Sequence, residues 1–82
     1  MDSLILTNRQ LAMALKARRK ELLLTQIEAG AKVGLLPKTI SALESHPERA
    51  SVASLFKYIS ALDFEVYLHR KNDREDTEKG EW

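Results

Sequence analysis

Residues 25–44 read TQIEAGAKVGLLPKTISALE, and this stretch decides the fold. Gly34 stands just past Val33, the last apolar residue of a short first helix. Glycine takes the left-handed backbone that closes a helix C-terminus, because it has no Cβ to clash. Pro37 stands where a second helix begins, a position that tolerates its missing N–H. Ile40 and Leu43, three apart, give the second helix a buried side. Lys38, Thr39, Ser41 and Ala42 are left facing outward. A short outer face of small and hydrogen-bonding side chains suits the DNA major groove, which admits one helix and displays donors, acceptors and methyl groups. The plainer alternative is an ordinary αα-hairpin, which any small helical domain contains.

The stretch resembles the helix-turn-helix of the Cro/C1 repressor family. Thr25 and Gln26 open the first helix, Gly34 occupies the turn, Thr39, Ile40 and Ser41 lie in the recognition helix, and Glu44 stands near its end. The chain departs from the family in three places. Ala29 and Gly30 replace a usual Leu-Ala pair, Leu36 replaces a polar cap, and Ala42 replaces a long polar side chain. The first departure predicts a first helix that packs with less volume. The resemblance implies that Gln26 touches the DNA backbone and supports the recognition helix, and that Pro37, Lys38, Thr39, Ser41 and Ala42 line the DNA face. It also implies an ion pair between Arg19 and Glu44, which as a bidentate contact fixes two helices relative to each other.

Working toward the N-terminus, Thr7 and Gln10 have the spacing of a capping box, with Leu6 and Leu11 placed for a hydrophobic staple. A helix is therefore predicted from about Asn8, with Leu11, Ala14, Leu15 and Leu22 on one face. The run Lys16-Ala17-Arg18-Arg19-Lys20 brings positive charge to the helix C-terminus, where it complements the dipole. Arg18 and Lys20 are left for phosphates or water. Thr25 and Glu28 repeat the capping-box spacing at the next helix.

Toward the C-terminus, Pro47 disfavours helix at His46 and ends the recognition helix there. Ser51 is placed to cap the next helix. Val52, Leu55, Phe56, Ile59 and Leu62 recur at helical spacing and are predicted core, with Lys57 facing out. At Asp63 the period changes. Phe64, Val66 and Leu68 alternate with Glu65, Tyr67 and His69, the pattern of a strand. A lone strand needs a partner. A copy of itself in a second subunit supplies one; the short Leu4–Leu6 segment is the alternative within the chain.

The 82 residues allow one small domain, and dimerisation adds the burial such a domain lacks. Net charge is +1, unevenly spread. Residues 71–82 carry three bases against five acids, a charge of −2, which leaves the body at +3. That balance is consistent with phosphate contact by the body. The tail has the composition of a disordered segment and closes on Trp82, the single tryptophan. Trp82 is either an anchor for a partner's pocket or a residue without a role. There is no cysteine, no apolar run long enough to span a membrane, and no glycine-rich phosphate loop. The start carries an early acid and too short an apolar run for a secretion signal. The chain is therefore expected to be cytoplasmic and nucleoid-associated, without cofactor or metal, and not an enzyme.

Nearly the whole chain resembles the HipB-type antitoxins, through LTNRQLAMALK, the TQ…G…TIS…E motif, FEVYLH and the acidic tail ending Glu81-Trp82. The resemblance implies a mainly α fold of four to five helices over residues 1–70, followed by one C-terminal strand pairing across a homodimer. It implies a tail over residues 71–82, binding to double-stranded operator DNA, repression of the chain's own operon, and a HipA-type serine/threonine kinase toxin that Trp82 helps to bind. A stand-alone phage-type repressor without a toxin partner remains the second hypothesis.

Overall fold

A computed structural model describes residues 3–71. Among them are four helices: α1 (Asn8–Glu21), α2 (Gln26–Ala31), α3 (Pro37–Ser45) and α4 (Val52–Ala61), with a 3-10 turn at Pro47–Arg49 between the last two. Local chemistry sets each start. The Thr7 hydroxyl accepts the Gln10 N–H at 3.1 Å while Gln10 Oε1 accepts the Thr7 N–H at 3.1 Å, and Thr25 and Glu28 repeat the exchange at 3.0 and 2.9 Å. Ser51 Oγ accepts the Ser54 N–H at 3.0 Å. Each box satisfies amides that the first helical turn would otherwise leave without acceptors. Leu36 provides no such bond to α3, which starts on Pro37 instead.

The ends follow a second rule. Leu23 (φ 60°), Gly34 (φ 72°) and Asp63 (φ 58°) each sit in the left-handed region just past a helix. The Leu24 N–H reaches the Arg19 carbonyl at 3.1 Å, and the Phe64 N–H reaches the Ile59 carbonyl at 3.1 Å. With Leu23 to Lys20 and Asp63 to Ser60 bonds of 3.0 and 3.1 Å, both are Schellman closures. Only one of the three uses glycine.

The core gathers Leu15, Ala29, Ile40, Leu43, Tyr58, Ile59, Ala61 and Leu62, edged by Leu11, Leu22, Leu24, Val33, Leu35, Leu55 and Phe64. Every helix contributes, so none folds on its own periodicity alone.

Several expectations are corrected. Regular α2 stops at Ala31, two residues before Val33; the chain then tightens until the Leu35 N–H returns to the Gly30 carbonyl at 2.9 Å. The small pair Ala29-Gly30 does not merely reduce volume. A Cβ on Gly30 would collide with the Leu35 carbonyl oxygen and crowd Ile40, so glycine is what lets the turn close on α2. Leu6 is 65% exposed, so a staple covers little of it. Val52 and Phe56 are exposed too, and Tyr58 takes the central place that the sequence reading had given to them. The buried stripe of α4 runs Leu55, Tyr58, Ile59, Leu62.

The predicted strand over Phe64, Val66 and Leu68 is absent among the described residues: 64–70 carry no regular secondary structure and do not pair with Leu4–Leu6. A single chain offers that edge no partner. The segment still alternates. Tyr67 donates to Glu65 Oε1 at 2.9 Å, and the Tyr67 and His69 rings lie 6.5 Å apart, contacts between i and i+2 that an extended backbone makes. Residues 72–82, with Trp82, lie outside the described residues.

Candidate nucleic-acid interface

The outer face of α3 is what remains after its inner face has been used. Ile40 and Leu43 are fully buried and Glu44 nearly so. That leaves Pro37, Lys38 and Ser41 exposed, with Thr39 and Ala42 half-buried at the rim. The outward face is therefore narrower than the sequence suggests, because two of the four residues expected on it, Thr39 and Ala42, lean against the domain. Gln26, at the first position of α2, is half-buried.

Behind this face lies a polar cluster centred on Glu44. Arg19 Nε donates to Glu44 Oε2 at 2.7 Å and Arg19 Nη2 to Glu44 Oε1 at 3.0 Å, a two-pronged contact between α1 and α3. Gln26 Nε2 donates to Glu44 Oε1 at 3.2 Å from α2, and the Tyr58 hydroxyl donates to Glu44 Oε2 from α4. Arg19 Nη1 also holds the Leu24 carbonyl at 2.8 Å. The two charged side chains are only 10% and 2% exposed. A buried ion pair is tolerated when every remaining donor and acceptor is matched. Among the described residues no buried side-chain nitrogen or oxygen lacks a partner.

Ionisation follows from this arrangement. Burial pushes the Glu44 carboxyl up, but hydrogen bonds from Arg19, Tyr58 and Gln26 and the Arg19 charge outweigh it and hold the group below the usual carboxylate range. The hydrogen bond to Glu44 raises Arg19 further above its ordinary value. Burial, then the bond to Glu44, pushes the Tyr58 phenol up. At neutral pH the cluster is therefore carboxylate, guanidinium and neutral phenol.

Arg18 is not left for phosphates or water, as the sequence leads one to expect. Its Nε donates to the Leu62 carbonyl at 2.9 Å, its Nη1 pairs with Glu21 at 3.0 Å, and its guanidinium lies 5.6 Å from the Phe64 ring centre. It ties α1 to the end of α4. Among the described residues no group of His, Asp and Glu side chains is placed to hold a metal.

The pattern of the Helix-turn-helix family matches residues 15–67. The chain belongs to this helix-turn-helix family. It is 36% identical to antitoxin HipB of Escherichia coli O6:H1 over 59 residues, which cover 72% of this chain and 63% of that protein. It is 34% identical to antitoxin HipB of Escherichia coli K12, covering 72% of this chain and 67% of the relative. The matched region thus spans about two thirds of these relatives' length. Among solved structures, the fold matches a chain of the HipA-HipB-O2-O3 complex with a TM-score of 0.81 at 30% identity, covering 85% of this chain and 99% of that one. A chain of the HipB-O4 20mer complex matches with a TM-score of 0.80, again at 30% identity and with the same coverage.

Within this helix-turn-helix the sequence reading missed Tyr58. The signal was present: Leu55, Tyr58, Ile59 and Leu62 have the i, i+3, i+4, i+7 spacing of a buried helical face. Two residues of the α4 apolar set, Val52 and Phe56, point the count toward a neighbouring face instead. A buried glutamate also needs more donors than one arginine supplies, which is a second reason to look for a hydroxyl nearby.

Proposed function

We propose that this chain is a DNA-binding antitoxin and autorepressor that binds operator DNA through α2 and α3 and neutralises a HipA-type kinase toxin. The observation that carries the reading is the pairing of an exposed Lys38–Ser41 face with a rigidly anchored α3. Major-groove readout needs a helix held at a fixed angle with hydrogen-bonding side chains facing out. The similarity to HipB, solved in complexes with HipA and with the O4 20mer, supports both halves of the reading. On it, Pro37, Lys38, Thr39, Ser41 and Ala42 line the groove, with Gln26 on the DNA backbone. The protein itself performs no catalysis, and its place is the cytoplasm, on the nucleoid.

The assembly is a homodimer joined by the Phe64–Leu68 segments, with residues 1–70 as one domain and 71–82 as a partner-binding tail ending in Trp82. Val66 is 47% and Leu68 95% exposed. Those apolar side chains on an alternating segment supply the reason for a strand partner. The dimer also doubles the number of α3 helices on one duplex, as half-site spacing in such repressors requires.

The test is footprinting upstream of the chain's own gene, followed by binding to the protected duplex. Lys38→Ala should cost about 1–3 kcal/mol and relax preference at one base pair if Lys38 reads a base edge. A uniform loss across sequences with a shallower salt dependence would place Lys38 on phosphate. Unchanged binding in both Lys38→Ala and Gln26→Ala would end the interface assignment. For the toxin half, a chain truncated after Arg70 is compared with Trp82→Ala in neutralising the co-purified kinase. Parental activity in both removes the tail from that contact.

A further inference from the structure

Glu44 joins all four helices through one carboxylate: Arg19 reaches it from α1, Gln26 from α2 and Tyr58 from α4, while Glu44 itself stands in the last turn of α3. We propose that Tyr58 is a positioning residue for DNA contact: its buried hydroxyl, acting through Glu44, sets the orientation of the Gln26 side-chain amide. The inference rests on the reading of α2 and α3 as the DNA interface and adds to it a buried residue of α4.

The argument starts from what each group can do. A carboxylate accepts hydrogen bonds and donates none. Gln26 must therefore turn its Nε2 inward to Glu44, as it does at 3.2 Å. The amide group keeps a second Nε2 hydrogen for an outside acceptor. A phosphate oxygen is such an acceptor, so the flip selected by Glu44 leaves one N–H to donate to it. The opposite flip would set the Gln26 carbonyl oxygen against the carboxylate and repel it.

The next question is what holds Glu44. Arginine, glutamine and glutamate are long side chains with several torsions each, and left to themselves they shift together. Arg19 is steadied by the Leu24 carbonyl. Tyr58 differs in kind. Its ring is fully buried in the core, and a tyrosine has two torsions. The place of its oxygen is therefore set by packing. It grips Oε2, while Oε1 is shared between Arg19 Nη2 and Gln26 Nε2. With Oε2 held by Tyr58 and Arg19 Nε together, Oε1 keeps its place against Arg19 Nη2, and Gln26 follows it.

The hydroxyl also completes the set of donors that the buried Glu44 needs beyond Arg19. Arg19 already neutralises Glu44. Phenylalanine would fill the same core volume without the cost of burying a hydroxyl. The hydroxyl donates to Glu44 Oε2, with the Arg19 guanidinium beside it.

The experiment uses the full chain and the duplex protected upstream of its own gene. Affinity is measured at several salt concentrations for the parent, Gln26→Ala, Tyr58→Phe and the double variant. Tyr58→Phe should bind about tenfold more weakly, the scale of one lost hydrogen bond. Its salt slope should match the parent's, since no cation is removed. The double variant should bind no more weakly than Gln26→Ala, because both changes remove the same contact. Parental affinity in Tyr58→Phe overturns the proposal. Additive losses overturn it as well, since they mean the hydroxyl acts through stability rather than through Gln26. Parental affinity in Gln26→Ala removes Gln26 from the interface and the proposal with it, while the wider DNA reading then stands on Lys38. Failure of the parent to bind any duplex ends that wider reading. A second measurement does not need the variant to fold. In the free parent the Gln26 side-chain amide should have a relaxation order parameter of about 0.85, as rigid groups do, and a value below about 0.6 overturns the proposal.

Discussion

The Glu44 cluster and the segment after Asp63 treat their side chains in opposite ways. At Glu44 a carboxylate, a guanidinium and a phenol are buried. After Asp63 apolar Val66 and Leu68 face water. Either arrangement is unfavourable unless a partner is supplied. The cluster finds every partner within the chain, from four helices brought together by a shared core. Of the segment's alternating apolar residues Phe64, Val66 and Leu68, it is Phe64 that packs against the core, beneath the Arg18 guanidinium. The difference teaches where each region is complete. The cluster is finished when the monomer folds; the segment has a surface left over.

The largest test of that contrast removes one side of the buried pair. Arg19→Met leaves Glu44 buried without its cation and should cost about 3–5 kcal/mol in urea unfolding at pH 7. A loss as small as that of an exposed pair would mean that water reaches the cluster and that it is not complete in the monomer. The pH dependence sharpens the same point. Glu44 has a folded pKa below its unfolded one, so its contribution is present above the unfolded value, about 4.3, and is lost as pH falls through the folded value. The parent should therefore lose stability on acidification more steeply than Arg19→Met does. Equal acid limbs would show that the pair is not the source.

Gly30→Ala comes next. The added Cβ meets the Leu35 carbonyl, and overpacking of this kind costs about 1–3 kcal/mol, readable as a lowered Tm. Gly34 has open space around it but a positive φ. Gly34→Ala should therefore cost about 1 kcal/mol through backbone strain alone. The converse change, Leu23→Gly, should stabilise by up to about 1 kcal/mol, because Leu23 holds a left-handed φ while 88% exposed. A destabilised Leu23→Gly would mean that the exposed leucine is covered in the assembled protein.

The smallest effect on the helices is expected from Val66→Pro. The change removes a strand donor and should shift the sedimenting species from dimer to monomer. The far-UV helical signal at low temperature should change least of all these variants, because Val66 lies outside the core. A fully dimeric Val66→Pro protein would detach the segment from the interface.

Much of this molecule was legible in the sequence, for a definable reason. The two capping boxes, the Ser51 cap, the turn at Gly34 and the Pro37 start are made by groups within five residues of one another. Their geometry is settled before any helix meets another. The Cro/C1 resemblance likewise placed Arg19 against Glu44, and the pair is formed at 2.7 and 3.0 Å.

What tertiary structure alone decided were choices between faces. Helix α4 carries apolar residues on more than one side, and periodicity cannot say which side meets α2 and α3. Packing chose Tyr58 and left Val52 and Phe56 in water. The same holds for Arg18, which looks like a solvated helix-end charge until the Leu62 carbonyl arrives 44 residues later in the chain. It holds for Gly30, which looks like a packing deficit until Leu35 folds back onto it. Sequence determined where the helices start and that glycine stands in the turn after α2, because those requirements are local. Tertiary structure decided which polar groups meet at Glu44, because a buried carboxylate takes its donors from whichever elements the core brings within reach.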